Sequence, residues 1–271
     1  MAFYGCEFVF DDISSSEYGL MIYDFGSNTQ GDAIIPTGAV QEDRLASRYD
    51  SFMYGITQNE SLQYTLIFGA NMESIDANDH IDRYEIEAIS AWLTSSNSRK
   101  WLTIIQDDMD VFRYKCVISE LKVVTHGNMP WAFSCKVICD SPFAYMPVEE
   151  YQYSVNDSLE ATIVNRSTYN GFYKPLINLT ITSGDGFSIT NASDNNRVFS
   201  FDLINSGVNL PITISIDNQN QIISSPTHTS LNPYTLFNNS FFRLVRGANT
   251  LVINGTGNIT FSCEFPVSIG G

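Results

Sequence analysis

Histidine and tryptophan are scarce, and basic residues are outnumbered. The 271 residues contain 3 His, 3 Trp and 14 Lys+Arg against 30 Asp+Glu, a net charge of −16. Such a balance excludes strong attraction to phosphate backbones or anionic membrane surfaces. No run approaches the ~20 apolar residues that a membrane helix needs. The opening MAFYGCEFVF has neither a basic n-region nor a long apolar h-region, so no signal peptide is expected and folding in a cytoplasm is. The five cysteines (Cys6, Cys116, Cys135, Cys139, Cys263) are an odd number without framework spacing. Cys135 and Cys139 are too far apart for a C-x-x-C pair or zinc knuckle. Buried thiols in a reducing compartment are the expectation.

Catalytic motifs are lacking as well. There is no phosphate loop and no G-x-S-x-G elbow. His80, His126 and His228 each stand in loop or turn sequence without a motif-spaced nucleophile or metal partner. Asp107, Asp108 and Asp110 form an acidic turn, but the Gly and distal Glu of a calcium loop are missing. As a glycosidase pair, Asp107 and Asp110 stand too close along one turn for the carboxylate separations that chemistry uses. No catalytic residue, cofactor or metal site is therefore expected.

What is present is β-sequence, with acid on one side of the chain. Residues 1–150 hold 23 Asp/Glu and 9 Lys/Arg, a net of −14, whereas residues 151–271 hold 7 and 5, a net of −2. With 44% hydrophobic residues the chain can fill two cores. Aromatic and β-branched runs at 3–10 and 18–25, separated by DDISSSE, predict a first hairpin. Leu62, Tyr64, Leu66 and Phe68 alternate, as a half-buried strand requires. Asp82 with Glu85 predicts a capping box, and Tyr84, Ala88, Ile89, Trp92 and Leu93 a helical stripe that packs on a sheet. A cofactor role for Trp92 is the weaker reading. Trp101–Gln106 is expected to pair with Val111–Ile118, and Leu121–Val124 with Trp131–Cys139. Together these make hairpins around one helix, an α+β unit.

The texture changes between Asp140 and Ser158, and the domain junction is placed near residue 148, giving domains 1–147 and 148–271. The second half is rich in Asn, Ser, Thr, Ile and Phe. Its predicted strands are 159–164, 174–182, 186–190, 197–204, 210–217, 220–224, 241–246, 249–254 and 257–265. Turn sequences SGDG, DNN, DNQN, RGAN and NGTGN separate them, which predicts a β-sandwich or jelly roll. Asn-x-Ser/Thr recurs at Asn59, Asn156, Asn165, Asn178, Asn191, Asn238, Asn254 and Asn258 and is read as composition rather than glycosylation. A sugar platform would need exposed rings, and this half offers Tyr169, Phe172, Tyr173 and Tyr234 but no Trp.

The order of parts resembles the distal tail proteins of long-tailed phages infecting Gram-positive bacteria. FVFDDISSSEYGLMI is similar to that family's first hairpin. The helix, the Trp-led hairpins and the exit Ser141-Pro142-Phe143 resemble its N-terminal domain. FFRLVRGANTLVINGTGNITFSCEF resembles the end of its galectin-like sandwich. The resemblance implies a mainly β chain, with an N-terminal α+β ring-forming domain followed by a C-terminal galectin-like β-sandwich or jelly roll. It also implies a hexameric ring in the virion, at the tail tip, joining the tail tube protein to a lysin-like tail-tip protein and, in many phages, to receptor-binding or baseplate proteins. No active site, membrane contact or sequence-specific nucleic-acid binding goes with it. An acidic ring through which DNA slides suits the charge asymmetry. The alternative is a lectin-like module that attaches to cell-wall polysaccharide.

Overall fold

The computed structural model describes residues 7–23, 39–57, 61–70, 81–105, 111–126, 128–204 and 206–268. The chain divides into two compact units, one running to Tyr145 and including Ser268, the other Met146–Val267. Both are built of antiparallel strands, and among the described residues there is one α-helix. That helix is too short to cross a membrane.

The first unit contains β1 (Glu7–Phe10), β2 (Ile13–Ser14), β3 (Leu20–Ile22), β4 (Ala39–Asp43), β5 (Phe52–Thr57), β6 (Gln63–Ala70), helix α1 (Arg83–Thr94), β7 (Lys100–Ile105), β8 (Arg113–His126), β9 (Met129–Cys139) and β10 (Ala144–Tyr145). Its main sheet has the order β2-β1-β7-β8-β9-β6-β3, with β10 on β8. The sheet curls until β3 comes back beside β1. Alternation decides what fills the curl. Phe8, Phe10, Leu66, Phe68, Leu102, Tyr114, Phe133 and Val137 all point inward and are buried. The expected pairing of β7 with β8 is present, with Leu102 opposite Tyr114. The two segments expected on either side of Ser119 are one strand, β8, which pairs with β9 through a bulge between Ser119 and Lys122. The first hairpin is different from expectation. β1 turns back onto the two-residue β2, while β3 pairs with β6, because a 3-10 turn at Ser15–Tyr18, closed by Gly19 at φ 64°, redirects the chain.

Helix α1 begins as its sequence requires. The Asp82 carboxylate accepts from the backbone N–H of Tyr84 and Glu85, and Glu85 accepts from the Asp82 N–H in return. Such a box is worth about 1 kcal/mol. Ile89 and Leu93 are the buried residues of the helix. Tyr84 and Ala88, expected in that stripe, are exposed. At 3.6 residues per turn Tyr84 lies about 140° around the helix from Ile89 and so faces water. Trp92 stacks on Phe8 and Tyr18 with ring centroids 5.7 and 4.9 Å apart, and its indole N–H donates to the Phe10 carbonyl at 3.0 Å.

The second unit contains β11 (Glu149–Asn165), β12 (Leu176–Asn191), β13 (Arg197–Asp202), β14 (Ile212–Asp217), β15 (Ile222–Ser224), β16 (Gly247–Cys263) and β17 (Pro266–Val267). The strand order is β11-β16-β12-β14-β15, with β13 also on β12. A straight strand of β11's length would hold its ends about 55 Å apart. Yet Arg166, the next residue, forms an ion pair with Glu149 at 2.8 Å. β11 therefore folds over on itself, and β16 and β12, in register beside it, fold at the same level. The corner residues are Asp157 (φ 76°), Gly255 (φ 128°) and Gly184 (φ 96°). Gly257 is also required, since a Cβ there would lie 2.1 Å from the Thr180 carbonyl oxygen. One hydrogen-bonded sheet thus supplies both layers of a sandwich around Ile177, Leu179, Phe187, Phe199, Ile214 and Phe261.

Here the strand boundaries read from sequence need correction. SGDG and NGTGN are corners inside continuous strands, not turns between separate ones. Gly and Asn were read as hairpin residues, but the same positive-φ tolerance serves a corner. The first half of β11, taken as junction, is strand, and β4 was not anticipated at all. Residues 241–246 form a loop rather than a strand, bridged at Leu244 to Tyr173 and held to β12 and β13 by Asn191 and Arg197, which donate to the Arg243 and Phe241 carbonyls.

Candidate interaction surfaces

Of the histidines and acidic-turn residues considered for chemistry, only His228 has a described side chain. Asp107, Asp108, Asp110 and His80, like the side chain of His126, lie outside the described residues. His228 sits in a loop with Nδ1 3.0 Å from the Thr227 hydroxyl. Among the described residues no three His, Cys, Asp or Glu side chains gather in a metal-holding group. An open groove of about 340 Å³ at the sandwich corner is lined by Asp185, Ser188, Ser200, Asp202 and Asn254, and its two carboxylates are exposed. Cys116, Cys135, Cys139 and Cys263 are buried free thiols. Burial pushes the Cys135, Cys139 and Cys263 thiols up to about 12, and Cys116 in the same direction. At neutral pH they are apolar packing groups rather than nucleophiles.

A cluster of exposed apolar side chains lies on the β4–β5 hairpin. Its strands pair with each other and form a separate two-stranded sheet, with a bulge between Gln41 and Glu42. Val40, Phe52, Met53 and Tyr54 are 53%, 50%, 54% and 66% exposed, and Tyr49 near the tip is 98% exposed. Arg48 holds Asp50 through two hydrogen bonds, and Tyr54 donates to Asp43. Of this arm the sequence gives the strand that begins at residue 52, now β5, but not its partner β4, which is short and carries no burial pattern.

The outward face of β7, β8 and β9 has a different character. Arg113 and Lys115 stand 4.5 and 5.7 Å from the ring of Trp101, with the cations over its face. Trp101 meets Tyr145 edge-on, and the Tyr145 hydroxyl donates to Asp140. Lys136 lies on the same face, opposite Ser119. The face therefore carries three bases, two aromatic rings and one carboxylate, Asp140.

At the other unit, one end of the sandwich is tied by buried amides. Asn165, Asn191, Asn218 and Asn249 are each at most 2% exposed. Asn249 accepts from the Val245 N–H and the Asn191 amide, and donates to the Val245 and Gly247 carbonyls. Asn165 also donates to Val245, and Asn218 bridges Pro175 and Phe242. Three of the Asn-x-Ser triplets find their reason here. At Asn165, Asn191 and Asn238 the side-chain oxygen accepts the N–H of the Ser two residues on, an Asx turn that ends a strand or shapes a loop. All five bases of residues 151–271 (Arg166, Lys174, Arg197, Arg243, Arg246) cluster at this end. They serve the fold in part. Arg243 binds nearly buried Asp194 in bidentate fashion and lies 3.5 Å over Phe172, and these hydrogen bonds raise its already high pKa. Tyr169 and Phe172 are exposed rings on the adjoining loop, while Trp92, Trp101 and Trp131 all belong to the first unit.

These surfaces describe an assembly component with a packed scaffold, an exposed arm and no reaction centre among the described residues. Comparison with known proteins agrees in kind. Residues 3–141 match the model of a phage tail protein N-terminal domain, and residues 143–263 that of a phage tail C-terminal domain. The chain belongs to this phage tail protein family. Its fold is similar to the crystal structure of SPP1 Dit (gp 19.1), described as a paradigm of hub adsorption apparatus in Gram-positive infecting phages. The TM-score is 0.66 over 96% of this chain and 98% of that one, at 11% sequence identity. No curated protein matches the chain.

Proposed function

We propose that this chain is the hub at the distal end of a phage tail, a hexameric ring that joins the tail tube to the tip. Residues 1–147 build the ring, and residues 148–271 are carried on it as a galectin-like sandwich. The tail tube protein docks on one side. A lysin-like tail-tip protein and receptor-binding or baseplate proteins dock on the other. The single observation that carries this reading is the agreement of both halves, in order, with one tail-protein family, on a fold like that of a known hub. The net charge of −14 on residues 1–150 supports a channel wall along which DNA passes without sticking. The hub acts by geometry, not by catalysis.

Gold-labelled antibodies against the chain, imaged on intact phage particles, test the reading. Label is expected at the junction of tube and tip, and averaged images are expected to show sixfold density there. Label along the tube or on the capsid would refute it.

A further inference from the structure

We infer that Cys116 and Cys139 are a dithiol that closes to a cross-strand disulfide in oxidising surroundings, locking β8 to β9. The two residues stand directly opposite each other on neighbouring antiparallel strands. The hydrogen bonds around them define the kind of opposition. At the next pair along the ladder the Asp140 N–H donates to the Lys115 carbonyl at 2.9 Å. The Cys139 N–H points the other way, to the Leu62 carbonyl. Cys116 and Cys139 are therefore a non-hydrogen-bonded pair, whose Cα atoms lie about 4.5 Å apart and whose side chains approach most closely. Disulfides span Cα separations of roughly 4.4–6.8 Å, so the bond is within reach without a shift of the strands. Both thiols lie on the core face, at most 1% exposed, and the bulge in this ladder begins only beyond Ser119. Cys135 has no such partner. It stands opposite Leu66, and Cys139, four residues further along the same strand, is about 13 Å away.

The cytosol keeps thiols reduced, whereas extracellular settings, virion surfaces among them, sustain disulfides. A phage tail outside the cell meets the second kind of surroundings. The oxidant is a small-molecule disulfide such as glutathione disulfide. One thiolate attacks it and expels a glutathione, and the other attacks the mixed disulfide and expels the second. The pair gives up two electrons and two protons, one S–S bond forms, and glutathione disulfide becomes two glutathiones. Burial holds both folded thiols protonated, so the exchange runs through local openings of the sheet.

The test incubates the full chain with glutathione disulfide at pH 8, a few degrees below its melting temperature, where openings are frequent. The chain is then unfolded, alkylated and digested for mass spectrometry. A linked peptide pair holding Cys116 and Cys139 is expected, with Cys135 alkylated. Calorimetry of the oxidised chain is expected to show the first unit melting about 5–10 °C higher, and dithiothreitol to reverse the shift. Cys135→Ala is expected to give the same link and the same shift, and Cys116→Ala neither, each measured against its own reduced form. Both thiols still alkylated after every incubation, a link from either to a different cysteine, or a link that leaves the melting temperature unchanged or lower overturns the inference.

Discussion

Replacing Asn249 by Ala probes how the sandwich end is held. Asn249 is fully buried, and its amide makes four hydrogen bonds to Val245, Gly247 and Asn191. Truncation leaves the Val245 N–H and one Asn191 N–H without a partner. The Val245 carbonyl keeps the bond from Asn165. The Asn191 donor is buried and the Val245 donor partly so, and unsatisfied they cost about 1–3 kcal/mol each, so the expected loss is about 3 kcal/mol. With a urea slope near 1.5–2 kcal/mol per molar, the midpoint should fall by about 2 M. Location sharpens the assay. All three tryptophans lie in the first unit, so Trp fluorescence reports that unit, while far-ultraviolet circular dichroism also reports the sandwich. The dichroism transition should move and the Trp transition should stay. A shift below about 0.3 M in the dichroism transition would refute the accounting, as it would mean that the freed groups find new partners at little cost.

Other perturbations test other joints. Trp92→Phe removes the N–H that donates to Phe10 and part of the stack on Phe8 and Tyr18, and should cost about 1–3 kcal/mol in the Trp131- and Trp101-reported transition. Gly257→Ala places a Cβ 2.1 Å from the Thr180 carbonyl, within a packed corner, and should lower the melting temperature of the sandwich by more than 5 °C in calorimetry. Alkali should weaken the first unit. The Cys135 and Cys139 thiols rise from an ordinary 9.0 to about 12 in the folded chain. Above pH 9 the unfolded chain releases those protons and the folded chain does not, so the stability present below pH 9 is lost as pH climbs toward 12. At about 1.4 kcal/mol per thiol per pH unit, roughly 3 kcal/mol goes by pH 10. Trp-monitored urea midpoints at pH 8 and pH 10 give the comparison, and equal midpoints would contradict it.

The helix start at Asp82 was readable because a capping box is local: three residues and three hydrogen bonds complete it. The sequence alternation Trp131, Phe133, Cys135, Val137 and Cys139 puts one face of β9 in the core by period 2 alone, and all but the half-buried Trp131 are buried. The helix stripe was half right. Ile89, Trp92 and Leu93 were legible, but which neighbours joined them depended on where the curled sheet ended. The strand beginning at residue 52 was legible, but its partner β4 escaped notice because an exposed strand lacks the alternation that burial imposes.

Composition and local pattern by themselves determined a mainly β chain, with one capped helix, buried thiols and acid concentrated in the first half. Those properties depend on residues near one another in sequence. The tertiary structure decided that SGDG and NGTGN are corners rather than turns, because a corner is defined by the strands beside it. It also decided that Asn165, Asn191 and Asn249 are buried ties, since an amide's partners lie up to 80 residues away. Finally it set Arg113 and Lys115 against the ring of Trp101, a juxtaposition that only the folded sheet creates.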